Sequence, residues 1–187
     1  MLEAGELVFS ELKNVVVWVK SNGGQGSFYR SQHELICVFK KGKAAHANSF
    51  ELGQHGRTRT NVWPYAGVNS FKTGRQEELD VHPTVKPVRL VADAMLDCSR
   101  RGSIVVDPFM GSGTTIIAGQ TVGRRVYGME LEPHYVDVAV RRWERFSGRD
   151  ATLEATGQTF AEVEAARNEG GRIEGKSATK KTRRGDR

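Results

Sequence analysis

Apolar and polar positions change period several times along the chain, and each change marks an element. Asn14 to Lys20 (NVVVWVK) and His33 to Lys41 (HELICVFKK) are β-branched and aromatic runs bounded by glycine or lysine, which predicts two strands. Between them, SNGGQGSFYRSQ sets three glycines among polar residues and ends in Phe28, Tyr29 and Arg30, the composition of a mobile loop. From Gly42 to about Asp80 the chain is polar and rich in Gly, His, Asn and Arg with no sustained period. That stretch reads as an irregular insertion with a short strand around TNVWPYA.

The second half is more regular. In HPTVKPVRLVADAMLDCS, Val88, Val91, Ala92, Met95 and Leu96 recur at helical spacing after a proline-punctuated entry. GSIVVD is a short continuous apolar run, the mark of a parallel strand buried on both faces. A helix from Gly113 to about Val122, a second buried strand in RRVYGMEL and a helix in EPHYVDVAVRRWERF follow, the last with Pro133 in its first turn. Strand, helix, strand, helix is a βαβ unit and predicts an α/β fold. Beyond Ser147, DATL fits a last strand, and TFAEVEAAR opens on a capping box, Thr159 with Glu162. From Gly170 the composition is that of a disordered basic tail. The expected division is a domain over 1–146 with an insertion at 42–80, an extension over 147–169 and a tail over 170–187.

With 187 residues the chain suits one domain plus a tail, and its net charge of +6 favours a polyanionic partner without specifying one. Cys37 and Cys98 lie far apart with no CxxC and no His/Cys cluster, so neither a disulfide framework nor a metal site is expected, and both read as half-buried thiols in a reducing cytoplasm. No apolar run reaches the roughly 18 residues of a membrane span, and MLEAGELVFSELKN lacks a signal pattern. A soluble cytoplasmic protein is expected.

The chemistry centres on IVVDPFMGSGTT, Ile104 to Thr115. A P-loop requires Lys-Ser/Thr after its last glycine, and no lysine follows Gly113. The dinucleotide fingerprint is nearer, but Ile116 stands where its third glycine belongs, which argues against an NAD-binding oxidoreductase module. Glu130 ends the next strand, and in a βαβ unit that position lies beside the first turn, where a carboxylate accepts both hydroxyls of a ribose. An adenosine with a sulfonium and an amino-acid tail has no pyrophosphate to need a third glycine, and its cationic end tolerates Asp107. S-adenosylmethionine is the candidate ligand.

HPTVKP, DPFMGSGTT and YGMELEPHYVDVAVRRWE, in that order, resemble three successive motifs of the β-class DNA amino-methyltransferases, the N-4 cytosine and N-6 adenine type. VVWVKSNGGQGSFYRSQHELICVFKKG resembles the strand-loop-strand segment before their target-recognition insertion. The likeness runs from about Leu12 to Phe146 and implies an S-adenosylmethionine-dependent, Rossmann-like methyltransferase sheet, with double-stranded DNA as substrate. It implies that Asp107, Pro108, Phe109, Gly111 and Gly113 line the donor site, with Thr114 or Thr115 near the donor's carboxylate and Glu130 on the ribose. His82, Thr84 and Lys86 would close the site, although His82 reads equally as a helix-entry residue bonded to backbone. Arg30, Arg57, Arg59, Lys72 and Arg75 are candidate DNA contacts. In such a site the target base is flipped and its amino nitrogen attacks the sulfonium methyl in line.

One family motif is missing. An Asp/Asn/Ser-Pro-Pro-Tyr/Phe segment should accept the target amino group, yet none of the five prolines are adjacent. NVWPY is one residue too long for it and lies in the insertion, so no catalytic residue is assigned. The motif belongs before the segment that opens this chain, which suggests a truncated or split enzyme, incomplete at its N-terminal side. Such a chain would have unpaired edges near Asn14 and Ile104, and would depend on a partner chain or on self-association. The rival reading is a remnant or subunit that binds donor or DNA and transfers nothing. Glu34 reads as a strand residue paired to a lysine or arginine, and Trp18, Trp63 and Trp143 as core or half-buried aromatics.

Overall fold

A computed structural model describes residues 2–50, 53–54, 56, 58–67 and 86–168. It divides into two compact units, Met1–Ala139 and Val140–Arg187, where the sequence pattern placed a boundary after Phe146.

The first unit opens with helix α1 (Leu2–Val8), an element with no counterpart in the sequence reading. Its Gly5 sits on the Phe39 ring, where a Cβ would lie 2.1 Å from a ring carbon, and Phe9 stacks on Phe39 at 5.3 Å between centroids. Strand β1 (Glu11–Val19) pairs antiparallel with β2 (His33–Lys40), and β3 (Val62–Pro64) adds parallel to the other edge of β1, giving the order β2-β1-β3. Among the described residues the side of β1 away from β2 is covered only toward its C-terminal end, which narrows the open edge expected near Asn14 without reaching that residue. β3 occupies that side at Val17 to Val19, and Asn61 continues it, its carbonyl accepting from the Val17 N–H while its amide donates to the Val15 carbonyl.

The βαβ unit follows as β4 (Ile104–Asp107), α3 (Thr114–Val122) and the parallel strand β5 (Arg125–Gly128). Helix α2 (Val88–Cys98) packs against both sheets. Its Leu90 joins Val16, Trp18 and Trp63 in one apolar cluster, while Ala92 and Met95 meet Ala118 of α3 in a second that is backed by Val105 and Val126. A helix with apolar partners on two sides buries more than one stripe, which is why Leu90 is in the core although the helical repeat passes over it.

The two buried strands expected from IVVD and RVYG are buried on one face only. Val105 and Val126 point to the helices, whereas Ile104, Val106 and Tyr127 are 56%, 63% and 56% exposed. Among the described residues β4 has a single ladder partner, β5.

Helix α4 (Pro133–Ser147) begins in the first unit and continues into the second. Within the second unit Arg141 pairs with Glu164 and lies over the Phe160 ring, and the Glu144 carboxylate accepts from the Ala151 N–H at 2.9 Å. DATL forms an isolated bridge, Thr152 to Thr159, instead of a strand. The capping box is present: Thr159 N–H donates to Glu162 at 2.8 Å and Glu162 N–H to the Thr159 hydroxyl at 3.3 Å, opening helix α5 over 160–168. The basic tail lies outside the described residues.

Candidate donor-binding site

The site forms where β4 ends. Asp107, the last residue of that strand, turns its carboxylate onto the loop: one oxygen accepts from the Phe109 N–H at 3.0 Å and the other from the Thr115 hydroxyl at 2.6 Å. A short acidic side chain here satisfies the turn's N–H and ties it to the first turn of α3. Gly111 and Gly113 take φ values of +55° and +80°, the left-handed conformation that glycine adopts without strain.

Gly113 also has a packing role. A Cβ there would come within 2.8 Å of the Ala139 Cβ on α4, so the glycine sets how closely that helix approaches the turn. Gly128 is similarly confined, because a Cβ would meet the Met110 sulfur at 2.2 Å.

Glu130 secures the loop from the second strand. One carboxylate oxygen accepts from the Gly111 N–H at 2.7 Å, and the other from the N–H groups of Leu131 at 2.9 Å and Glu132 at 3.1 Å. Met110 N–H bonds the Met129 carbonyl and Met129 N–H the Asp107 carbonyl, so the ends of the two strands are laced together.

These elements enclose a cavity of about 330 Å³, within the range of small-molecule sites. Of the residues singled out from the sequence, Lys86, Asp107, Phe109, Gly111, Thr114, Thr115 and Glu130 line it. Pro108 and Gly113 belong to the same loop without lining the cavity. His82 and Thr84 lie outside the described residues. Val91, Met110, Ser112 and Tyr135 also line it and were not anticipated. Ser112 stands between the two glycines, which is a usable signal. Tyr135 reaches the cavity only because α4 returns to the turn.

Two carboxylates and one ammonium face this space, and Phe109 is 88% exposed at its rim. The residues fit a ligand with hydroxyls, a flat apolar part and both signs of charge. Lys86 is held at 3.0 Å by Glu34, which also pairs with Lys20 at 2.6 Å. Burial works against the Glu34 carboxylate, but hydrogen bonds from Lys20 and Lys86 outweigh it and keep its carboxyl below the ordinary glutamate range. The expected lysine partner of Glu34 is therefore a pair of lysines.

The candidate DNA contacts separate. Arg30 is exposed in the loop between β1 and β2, its guanidinium donating to the carbonyls of Gly23 and Gly24, beside the exposed rings of Phe28 and Tyr29. Arg59, a candidate DNA contact from the sequence, turns inward and is half-buried. It pairs with Asp97 at 3.1 Å, donates to the Tyr65 hydroxyl at 3.0 Å and lies 4.4 Å from the Trp63 ring centroid. Burial opposes its charge, but the Tyr65 hydrogen bond and the Asp97 carboxylate push its pKa up, so the cation is committed to the core. Arg57, Lys72 and Arg75 lie outside the described residues.

NVWPY is structural. Trp63 is buried and donates to the Thr60 carbonyl, and the Tyr65 hydroxyl donates to Asp93 at 2.6 Å. Cys37 is half-buried, but Cys98 is exposed, contrary to its reading. Among the described residues no His/Cys/Asp/Glu group is arranged to hold a metal ion, and no helix is long and apolar enough to cross a membrane.

A glycine turn after a parallel strand, answered by an acidic residue at the end of the next, is a Rossmann-like arrangement. A family model described as DNA methylase, of the N6/N4 methyltransferase kind, matches residues 7–141. The chain belongs to that DNA methylase family. It is 26% identical to the type II methyltransferase M2.MboI of Moraxella bovis over 73% of this chain and 51% of that protein. It is 28% identical to the type II methyltransferase M2.DpnII of Streptococcus pneumoniae over 72% of this chain and 52% of that one. The chain thus spans about half the length of these relatives. The M1.HpyAVI–SAM complex superposes with a TM-score of 0.54 at 28% identity, covering 71% of this chain and 62% of that one.

Proposed function

We propose that this chain is the donor-binding portion of a site-specific DNA methyltransferase that transfers a methyl group from S-adenosylmethionine to the exocyclic amino group of adenine or cytosine in double-stranded DNA. The observation that carries this reading is the single cavity shared by Asp107, Phe109, Gly111, Thr115, Glu130 and Lys86. Family membership and the likeness to the M1.HpyAVI–SAM complex support it.

When bound, S-adenosylmethionine supplies a methyl group on a cationic sulfur. The residues of this chain hold and orient it. Glu130 would accept from the ribose with what its backbone contacts leave of its carboxylate, Asp107 would face the cationic part, and Phe109 would offer a ring face at the rim. The fixed turn spends its ordering cost before the ligand arrives, which favours one bound geometry.

The residues that accept the target amino group come, in this reading, from a Pro-Pro-type segment outside these 187 residues, seated against the side of β4 that faces away from β5. The bare face of Ile104, Val106 and Tyr127 is consistent with that placement. A second reading, a subunit that binds donor and transfers nothing, is favoured by the lack of adjacent prolines.

Titration calorimetry with S-adenosylmethionine, with NAD as control, tests the donor site. A methyl-transfer assay on unmethylated DNA with the same sample separates the two readings. Donor binding without transfer is expected for these 187 residues; transfer by them would overturn the need for the Pro-Pro-type segment, and failure to bind donor would overturn the site.

A further inference from the structure

The period of β1 and the register of β2 gather Trp18, Lys20 and Glu34 around Lys86, a residue that lines the cavity. Trp18 and Glu34 are directly paired across the two strands, so their side chains share a face, and Lys20 lies two residues on from Trp18 toward the same side. That face is the one that enters the core, since Trp18 is buried and clusters with Leu90 of α2. Lys86 stands just ahead of that helix. A carboxylate at the core-facing rim of a sheet is costly unless paired, and Glu34 is paired twice, with Lys20 at 2.6 Å and Lys86 at 3.0 Å. Both ammonium groups also lie near the Trp18 ring, at 5.1 Å and 5.4 Å from its centroid.

Two cations on one carboxylate leave one unit of positive charge at this point. Among the described residues lining the cavity, Lys86 alone is cationic, and the other charged residues there, Asp107 and Glu130, are acidic. Among these lining side chains Lys86 is thus the one that offers an anionic group an opposite charge. We propose that Glu34 is a positioning residue, which with Lys20 and Trp18 fixes the Lys86 ammonium so that it receives the carboxylate of the donor's amino-acid tail. This rests on the donor site proposed above and adds a part that is contributed by the β1–β2 sheet. Lysine is a flexible point charge, and a fixed partner at its far end is what confines it.

The test compares two ligands by calorimetry on the full chain: S-adenosylmethionine, which has the carboxylate, and 5′-methylthioadenosine, which lacks the whole tail. Lys86→Met is expected to weaken S-adenosylmethionine about tenfold and Glu34→Gln about threefold, sizes appropriate to a charge-assisted contact and to its partly exposed support. Both should leave 5′-methylthioadenosine within about twofold, and in the Lys86→Met background Glu34→Gln should have no further effect. Equal losses for both ligands, or full additivity of the two changes, would overturn the proposal while leaving the donor site standing. If Glu34→Gln loses both ligands, Glu34→Asp decides. Methylthioadenosine binding restored with S-adenosylmethionine still weak supports the proposal, and parallel recovery of both overturns it. A wild-type chain that binds neither ligand removes the donor site and this proposal together.

Discussion

The carboxylate of Glu130 accepts a hydrogen bond from the backbone N–H of Gly111 at 2.7 Å, so the end of the second parallel strand fixes the turn that follows the first. The residue assigned to a ribose is thus also part of the scaffold of its own site. Glu130→Ala should act twice, removing acceptors from three backbone N–H groups and a contact to the ligand. Hydrogen bonds to charged groups are worth about 1.5–3 kcal/mol each, less where water replaces them. Donor affinity is expected to fall at least about tenfold in calorimetry, with a loss of roughly 1–3 kcal/mol in urea unfolding. Affinity within about twofold of wild type would show that Glu130 does not reach the ligand.

Gly113→Ala combines a left-handed φ of +80° with a Cβ placed 2.8 Å from the Ala139 Cβ. Gly157→Ala shares the first problem, with φ +72°, but meets nothing within 4 Å. The expected ranking in thermal melts is a loss of about 1 kcal/mol at Gly157 and about 2–4 kcal/mol at Gly113. Equal losses would mean that the α4 approach gives way easily.

Arg59 and Arg30 should separate stability from DNA affinity. Arg59→Ala removes the cation facing Asp97 and is expected to lower stability by about 1–3 kcal/mol while leaving the salt dependence of DNA binding unchanged. Arg30→Ala should leave unfolding nearly unchanged and, if the loop follows the DNA backbone, reduce the slope of log affinity against log salt by about one. Fluorescence anisotropy across a salt series measures both slopes; the opposite assignment would return Arg59 to the interface.

The Thr159 N–H, and after it the Thr159 hydroxyl, hold the Glu162 carboxyl below its ordinary value of 4.5. The folded-state pKa is lowered, so the capping contribution is fully present above about 4.5 and is lost as pH falls through the folded value. An NMR titration of the Thr159 amide should show its midpoint below 4.5, and Glu162→Gln should remove that titration. A midpoint at or above the ordinary value would contradict the box.

Val106 is 63% exposed on the bare face of β4. Val106→Lys should cost this chain less than about 0.5 kcal/mol, as surface changes do. It should nevertheless abolish association with a polypeptide carrying the Pro-Pro-type segment, measured by sedimentation velocity. Retained association would place the partner elsewhere.

Much of this was legible in the chain because it depends on local chemistry. The Asp107 turn, its two positive-φ glycines, the Thr159 and Glu162 box and every longer strand and helix follow from spacing and propensity, which act over a few residues. Glu130 beside the turn was legible because a βαβ unit has fixed handedness. What required tertiary structure was the destination of groups whose partners are far apart in sequence. Arg59 reads as a DNA contact, yet Asp97 and Tyr65 draw it inward, and Glu34 reaches Lys86 of the cavity lining only when Trp18, Lys20 and Lys86 meet beside it. The exposure of Ile104 and Val106 is not written in the run itself, because an apolar run records that a strand is meant to be covered and not what covers it. Periodicity encodes the face a residue shows; only packing decides what meets that face.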